Sequence, residues 1–125
     1  MKKRLLLLIE DNPLLTGMYK TAFENAGFEV IFAHDGESGL TMAKSENPEG
    51  IMLDLLMPGM SGFQVLEELK KNDNTKDIKV VVLTADEKKE DLDKAKELGA
   101  IDCLIKPELT LAEIVSRATT SFNEK

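Results

Sequence analysis

Short apolar runs recur along the chain at nearly regular intervals. Each run is four to six residues long, and several are rich in valine and isoleucine: they cover 5–9, 28–33, 51–55, 80–83 and 101–105. Such nearly continuous apolar runs are typical of strands that are covered on both faces of a parallel sheet. We therefore predict five buried strands.

Segments with helical periodicity lie between and after these runs. Apolar residues recur there at spacings of three or four, the pattern of an amphipathic helix, over 14–26, 63–69, 92–98 and 111–122. The segment 37–47 is a weaker helix prediction, anchored by Leu40 and Ala43.

Residues that favour helix ends agree with this pattern. Asn12-Pro13 suits a helix cap followed by a first-turn proline. Gly27 and Gly99 follow the last apolar residues of two predicted helices, where a left-handed residue is favoured.

The alternation of strand and helix predicts an α/β fold, a doubly wound (βα)5 arrangement with helices on both faces of a parallel five-stranded sheet. The length of 125 residues is typical of one domain, so we expect 1–125 to form a single domain. In folds of this class a ligand binds beyond the carboxyl ends of the strands, which directs attention to the residues there.

Composition narrows the function. The net charge of −7 argues against direct binding to nucleic acid through a basic surface. No apolar run reaches the length of a membrane span or of a signal-peptide core. The one cysteine excludes an internal disulfide and favours a reducing compartment, so we expect a cytoplasmic protein.

Acidic and other polar residues gather where the predicted strands end. The second run is followed only by His34 and Asp35. The candidates at the ends of the other strands are Glu10, Asp11, Asp54, Thr84, Ala85 and Lys106.

Three carboxylates at one sheet edge repel each other. A pair of like charges about 4 Å apart costs roughly 4 kcal/mol at an effective dielectric constant near 20. Either one carboxyl keeps a proton or a cation binds, and a set of oxygen ligands favours Mg²⁺. A carboxylate beside Mg²⁺ and an ammonium is also suited to aspartyl-phosphate chemistry, with Thr84 and the Ala85 amide donating hydrogen bonds to phosphoryl oxygens.

Four motifs then carry a family resemblance: IEDNP at 9–13, MLDLLMPGMSG at 52–62, LTA at 83–85 and LIKP at 104–107. Their order and spacing resemble those of the receiver domains of response regulators in two-component signalling, including the chemotaxis regulators. The resemblance implies a flavodoxin-like sheet with strand order 2-1-3-4-5.

The resemblance also implies a role for each acidic residue. Asp54 would accept the phosphoryl group. Asp11 and Asp54 would bind Mg²⁺ with the backbone carbonyl of Leu56, and Glu10 would act mostly through a metal-bound water.

The remaining site residues follow in the same way. Lys106 would pair with the phosphoryl group, Thr84 would move toward it, and the Lys106–Pro107 peptide bond would be cis. Cys103 departs from the family pattern, because an aromatic residue usually stands three residues before this lysine. We therefore leave open how the face formed by the fourth helix, fifth strand and fifth helix would change on phosphorylation.

The implied function is a phosphoacceptor, phosphorylated on Asp54 by a histidine kinase or a phosphotransfer protein. It would catalyse its own phosphorylation and dephosphorylation without being a conventional enzyme. Phosphorylation would repack the face formed by the fourth helix, fifth strand and fifth helix for a partner. The fifth predicted helix ends near residue 122, so we expect either a free-standing receiver or part of a larger regulator. Its target would accordingly be an effector protein or an output domain.

Three alternative functions would require other residues at this edge of the sheet. An aspartyl phosphatase would need a second acid two residues after the nucleophile, where Leu56 stands. A flavin-binding module would need a phosphate-binding loop after the first strand, where the acidic segment 10–15 would repel phosphate. A degenerate receiver that binds partners without phosphorylation conflicts with the acids, Thr84 and Lys106, although Cys103 keeps it open.

Overall fold

The computed structural model describes residues 4–124. Strands and helices alternate as predicted, and a short 3₁₀ turn, Lys106–Glu108, precedes the last helix. The elements in chain order are β1 Arg4–Ile9, α1 Pro13–Asn25, β2 Phe28–Ala33, α2 Gly36–Glu46, β3 Gly50–Leu53, α3 Gly62–Lys71, β4 Lys79–Thr84, α4 Lys89–Glu97, β5 Asp102–Ile105 and α5 Leu111–Asn123.

The strands form one parallel sheet in the order β2-β1-β3-β4-β5. This confirms the predicted doubly wound fold and its strand order. The register pairs Ile9 with both Ala33 and Leu53, and Thr84 with Ile105. The carboxyl ends of the strands therefore meet at one edge of the sheet.

The two faces of the sheet carry separate cores. One, which we call the α2–α4 core, joins the sheet to α2, α3 and α4 through residues such as Leu7, Val65 and Ala95. The other, the α1–α5 core, joins it to α1 and α5 through residues such as Phe23 and Ile114. None of the helices within residues 4–124 combines the length and apolarity that a bilayer crossing requires.

The predicted helix ends are confirmed. The Asn12 side chain accepts hydrogen bonds from the amides of Leu14 and Leu15, and Pro13 opens α1. Gly27 and Gly99 adopt φ of 100° and 112°, which favours glycine because it lacks a Cβ atom.

Two strands are shorter than their apolar runs. The third ends at Leu53, and the buried Leu55 lies in the following turn. The fifth begins at Asp102, and Ile101 before it is 43% exposed. Apolar runs predict burial, but the register with the neighbouring strand decides where pairing ends.

The prediction of a cis Lys106–Pro107 bond is wrong. The structure has no cis peptide bond within residues 4–124. Trans is the favoured isomer of an X–Pro bond by about 0.5–1 kcal/mol, and the 3₁₀ turn that begins at Lys106 accommodates it.

Candidate functional site

The backbone places two carboxylates at the carboxyl edge of the sheet. The Glu10 amide donates to the Ala33 carbonyl at 3.1 Å, and the Asp54 amide donates to the Ile9 carbonyl at 3.1 Å. These bonds extend the strand pairing one residue beyond β1 and β3, so both backbones are held by the rigid sheet. Side-chain oxygens of Glu10, Asp11 and Asp54 then lie within 4.8 Å of one another.

Lys106 reaches into this acidic cluster from the end of β5. Its Nζ lies 2.6 Å from Glu10 Oε1 and 3.4 Å from Asp54 Oδ2. Burial lowers the pKa of Lys106, but the hydrogen bond to Glu10 and the negative charges of Asp54 and Glu10 outweigh burial, so its pKa is raised. The ammonium therefore stays charged at neutral pH and neutralises part of the cluster.

The environment of Asp54 disfavours a negative charge. Burial raises the pKa of Asp54 to about 6, since the opposing attraction of Lys106 is partly cancelled by repulsion from Glu10. The carboxylate also accepts a hydrogen bond from the Leu56 amide at 3.1 Å, which lowers the pKa. Without a further cation, the cluster holds more negative charge than Lys106 balances.

The donor set fits a hard divalent cation. Three carboxylates lie close to one ammonium, and all the candidate ligand atoms are oxygens, as Mg²⁺ prefers. Glu10 is 2% exposed and its Oε2 accepts the Asn12 amide at 3.2 Å, so it is already held by Asn12 and Lys106. Asp11 is less buried and lies on the solvent side of the cluster.

Thr84 and Ala85 close the neighbouring side of this edge. Thr84 is fully buried at the end of β4, and its Oγ1 accepts the Asp86 amide at 3.1 Å. The carboxylate of Asp86 in turn accepts the Lys88 amide at 2.9 Å, which orders the loop before α4. Ala85 is exposed at the rim.

Other sequence candidates serve different purposes. Asp35 is the cap of α2 and accepts the Ser38 amide at 2.7 Å. His34 is exposed and its ring meets Phe32 edge to face at 5.2 Å. The Cys103 thiol lies 3.8 Å from the Leu92 carbonyl, and burial raises its pKa to about 11. The thiol is therefore protonated and poorly nucleophilic.

Two residues near the site were missed in the sequence. A Cβ atom on Gly62 would lie 2.3 Å from the Asp54 carbonyl oxygen, so glycine allows α3 to approach the site. The motif that ends at 62 contained this signal. Tyr19 is 4% exposed and lines a cavity of about 420 Å³ together with Lys106. No sequence motif includes Tyr19, and only tertiary packing brings it there.

Comparison with known proteins places this geometry in a family. The model of the response regulator receiver domain matches residues 6–119. Protein PilH of Pseudomonas aeruginosa is 36% identical over 104 residues, which are 82% of this chain and 84% of PilH.

A longer relative and a solved structure agree. The phosphate regulon transcriptional regulatory protein PhoB of Escherichia coli is 36% identical over 114 residues, or 91% of this chain. The chain spans about half of the length of PhoB, since the match covers 49% of that protein. The structure of the Mn²⁺-bound form of response regulator Rcp1 superposes with a TM-score of 0.81 at 29% identity, covering 91% of this chain and 90% of that one.

Proposed function

The chain belongs to the response regulator receiver domain family, and we propose that it is a Mg²⁺-dependent phosphoacceptor whose nucleophile is Asp54. One observation supports this proposal above the others. The Asp54 carboxylate, 6% exposed, lies 3.4 Å from the Lys106 ammonium and within 4.8 Å of two further carboxylates. A bound cation would stabilise the negative charge of such a buried carboxylate, and an incoming phosphoryl group could pair with the Lys106 ammonium.

The proposed reaction transfers a phosphoryl group from a phosphohistidine. A bond forms between a carboxylate oxygen of Asp54 and phosphorus, the phosphorus–nitrogen bond breaks, and its electron pair returns to the imidazole. Mg²⁺ held by Asp11 and Asp54, with the Leu56 carbonyl as a further ligand, would neutralise charge on the phosphoryl oxygens. Glu10 would bind it through a water molecule.

The chain's own residues supply the remaining contacts. The Lys106 ammonium pairs with one phosphoryl oxygen. The Thr84 hydroxyl oxygen accepts a hydrogen bond from the Asp86 amide. The hydroxyl hydrogen is therefore available for donation to another phosphoryl oxygen. The backbone amide of Ala85, an exposed residue, would be a second donor. In dephosphorylation, a water oxygen would attack phosphorus with the same groups in place. The bond between phosphorus and the Asp54 oxygen would break, which releases inorganic phosphate and the free Asp54 carboxylate.

The proposed partners follow from this chemistry. A histidine kinase or a histidine phosphotransfer protein supplies the phosphoryl group. An effector protein or an output domain responds to the phosphorylated state. Response regulator Rcp1, which has a similar fold, exists in a Mn²⁺-bound form, and this supports a divalent cation as the cofactor of the present chain.

Intact-mass spectrometry tests the proposal. We expect acetyl phosphate and Mg²⁺ to add the mass of one phosphoryl group to the wild type and to Asp35→Asn, but none to Asp54→Asn. Asp35→Asn is a matched control because Asp35 also follows a strand but caps α2, a role that asparagine can fill. Equal uptake by Asp54→Asn would contradict the assignment.

A further inference from the structure

The two side chains that would contact the phosphoryl group lie on opposite sides of the sheet. Successive strand residues face alternate sides. Val82 lies in the α2–α4 core, so Thr84, two residues later, is on that side. Leu104 lies in the α1–α5 core, and Lys106, two residues later, lines a cavity with residues of α1 and α5. A change at the site can therefore reach either face.

On the Thr84 side of the sheet, the neighbouring side chain on β5 is small. Cys103 pairs with Val82 across β4 and β5 and packs against the α2–α4 core. Its thiol already lies 3.8 Å from the Leu92 carbonyl. The side chain has one rotatable bond and no ring, so a rotation of Cys103 would displace little volume.

On the Lys106 side, an aromatic ring lies beside the moving group. The cavity of about 420 Å³ is lined by Tyr19, Lys106 and Ala85, and its other lining side chains are apolar. Tyr19 lies on the inner face of α1, in the α1–α5 core. A displacement of the Lys106 side chain or of Ala85 changes the shape of the cavity that Tyr19 also lines.

Tyr19 also lies within the electrostatic field of the site. Burial raises the pKa of its hydroxyl; the positive charge of Lys106 lowers it, and the negative charges of Glu10 and Asp54 raise it. Binding of a cation and a phosphoryl group would change the charge or the position of Lys106, Glu10 and Asp54. The surroundings of the Tyr19 hydroxyl therefore depend on what the site contains.

We propose that Tyr19, rather than a residue of β5, transmits the phosphorylation state of Asp54 to the surface formed by α1 and α5. This inference rests on the proposed function. When Lys106 leaves Glu10 for a phosphoryl oxygen, the cavity wall changes and the Tyr19 ring repacks. Leu14 and Met18, which are 73% and 46% exposed on the same helix, then change position at the surface.

The chain carries its own reporter on each face. Tyr19 is its one tyrosine, tryptophan is absent, and Cys103 is its one cysteine. We would add acetyl phosphate and Mg²⁺, follow tyrosine emission, and measure the rate of Cys103 modification by a thiol reagent. Intact mass gives the phosphorylated fraction in the same samples. The wild type with Mg²⁺ and no acetyl phosphate controls for Mg²⁺ alone, and Asp54→Asn controls for acetyl phosphate acting elsewhere.

The proposal predicts a shift in tyrosine emission that grows with the phosphorylated fraction and is absent from Asp54→Asn, with no change in the Cys103 rate. A phosphorylated chain with unchanged emission would overturn the inference and leave the proposed function standing. A change in the Cys103 rate, with or without one in emission, would also overturn it. Absence of phosphoryl uptake would overturn both.

Amide hydrogen exchange separates transmission from simple packing. Phosphorylation is expected to change exchange in α1 of the wild type and of Tyr19→Phe, which keeps the ring, but not of Tyr19→Leu. A purely structural role would alter exchange equally with and without phosphorylation. If Tyr19→Leu kept the wild-type difference between the two states, the proposal would be wrong.

Discussion

The Lys106 ammonium donates a 2.6 Å hydrogen bond to the buried carboxylate of Glu10. Its distance to Asp54, the proposed nucleophile, is 3.4 Å. Lys106 therefore balances the charge of Glu10 first, and pairing with a phosphoryl group requires it to exchange partners. A cation near Glu10 would favour that exchange by taking over its negative charge.

Replacing Lys106 with methionine tests this pairing. Glu10, 2% exposed, would lose its partner, and breaking a buried ion pair from one side costs about 3–5 kcal/mol. We expect the free energy of unfolding at neutral pH, measured with denaturant, to fall by that order. The double variant Glu10→Gln/Lys106→Met should recover much of the loss. A single variant as stable as the wild type would show that the pair contributes nothing.

The pKa of Asp54 predicts a pH-dependent stability. Since the folded-state pKa, about 6, exceeds the ordinary value of 3.8, folding favours the protonated carboxyl. This contribution is complete below about pH 4 and is lost as the pH rises through 6. A rise in the pKa of Asp54 from 3.8 to about 6 corresponds to roughly 3 kcal/mol of unfolding free energy at most.

Asp54→Asn removes this titration. In metal-free buffer, the variant should be more stable than the wild type at pH 7, and the difference should shrink toward pH 4. Denaturant unfolding at several pH values measures it. A difference that is constant across this range would show that the carboxyl of Asp54 is not destabilised by its surroundings.

Gly62→Ala tests the close approach of α3 to the site. The new Cβ would lie 2.3 Å from the Asp54 carbonyl oxygen and 2.6 Å from the Leu55 Cα, so the backbone of the nucleophile must shift. We expect a loss of about 1–3 kcal/mol in unfolding free energy and slower phosphoryl uptake.

Gly17→Ala is the matched control. A Cβ there would have no atom within 4 Å, and the residue lies in the interior of α1. This variant should gain roughly 0.5–1 kcal/mol, because alanine loses less entropy in a helix than glycine. If both variants behaved alike, the contact between α3 and Asp54 would have no effect.

Thr84→Val tests the hydrogen bond from the Asp86 amide. Valine keeps the shape of threonine but cannot accept the bond, so the amide of the buried Asp86 loses its acceptor, at a cost of about 1–3 kcal/mol. Thr84→Ser keeps the hydroxyl and should retain more phosphoryl uptake than Thr84→Val. Equal uptake rates, measured by intact mass, would remove Thr84 from the proposed reaction.

The periodicity of apolar residues predicted the fold and the edge of the sheet that carries the site. A parallel α/β sheet collects the residues that follow its strands, so Glu10, Asp11, Asp54 and Lys106 could be brought together in advance. The gathering of these residues at one edge depends on the sheet topology alone, so it could be predicted from the sequence without side-chain coordinates.

Side-chain contacts that depend on tertiary packing could not be predicted from the sequence pattern. The sequence does not show that Lys106 lies closer to Glu10 than to Asp54, since that depends on the path of the turn after β5. Glu90 and Lys94 are four residues apart on α4, a spacing that favours an ion pair, but the Lys94 ammonium lies over the Phe63 ring at 4.7 Å. Tyr19 appeared only as one position on an amphipathic helix, in no motif.

We predict that a divalent cation relieves the repulsion among Glu10, Asp11 and Asp54. Thermal unfolding at pH 7, with and without Mg²⁺, tests it most directly in the wild type and in Asp54→Asn. A ligand that binds only the folded state stabilises it by about 2.7 kcal/mol at a hundredfold excess over its Kd. We predict that Mg²⁺ raises the Tm of the wild type by several degrees and that of Asp54→Asn by much less. Equal Tm values for the wild type with and without millimolar Mg²⁺ would show that the folded acidic cluster does not bind the cation.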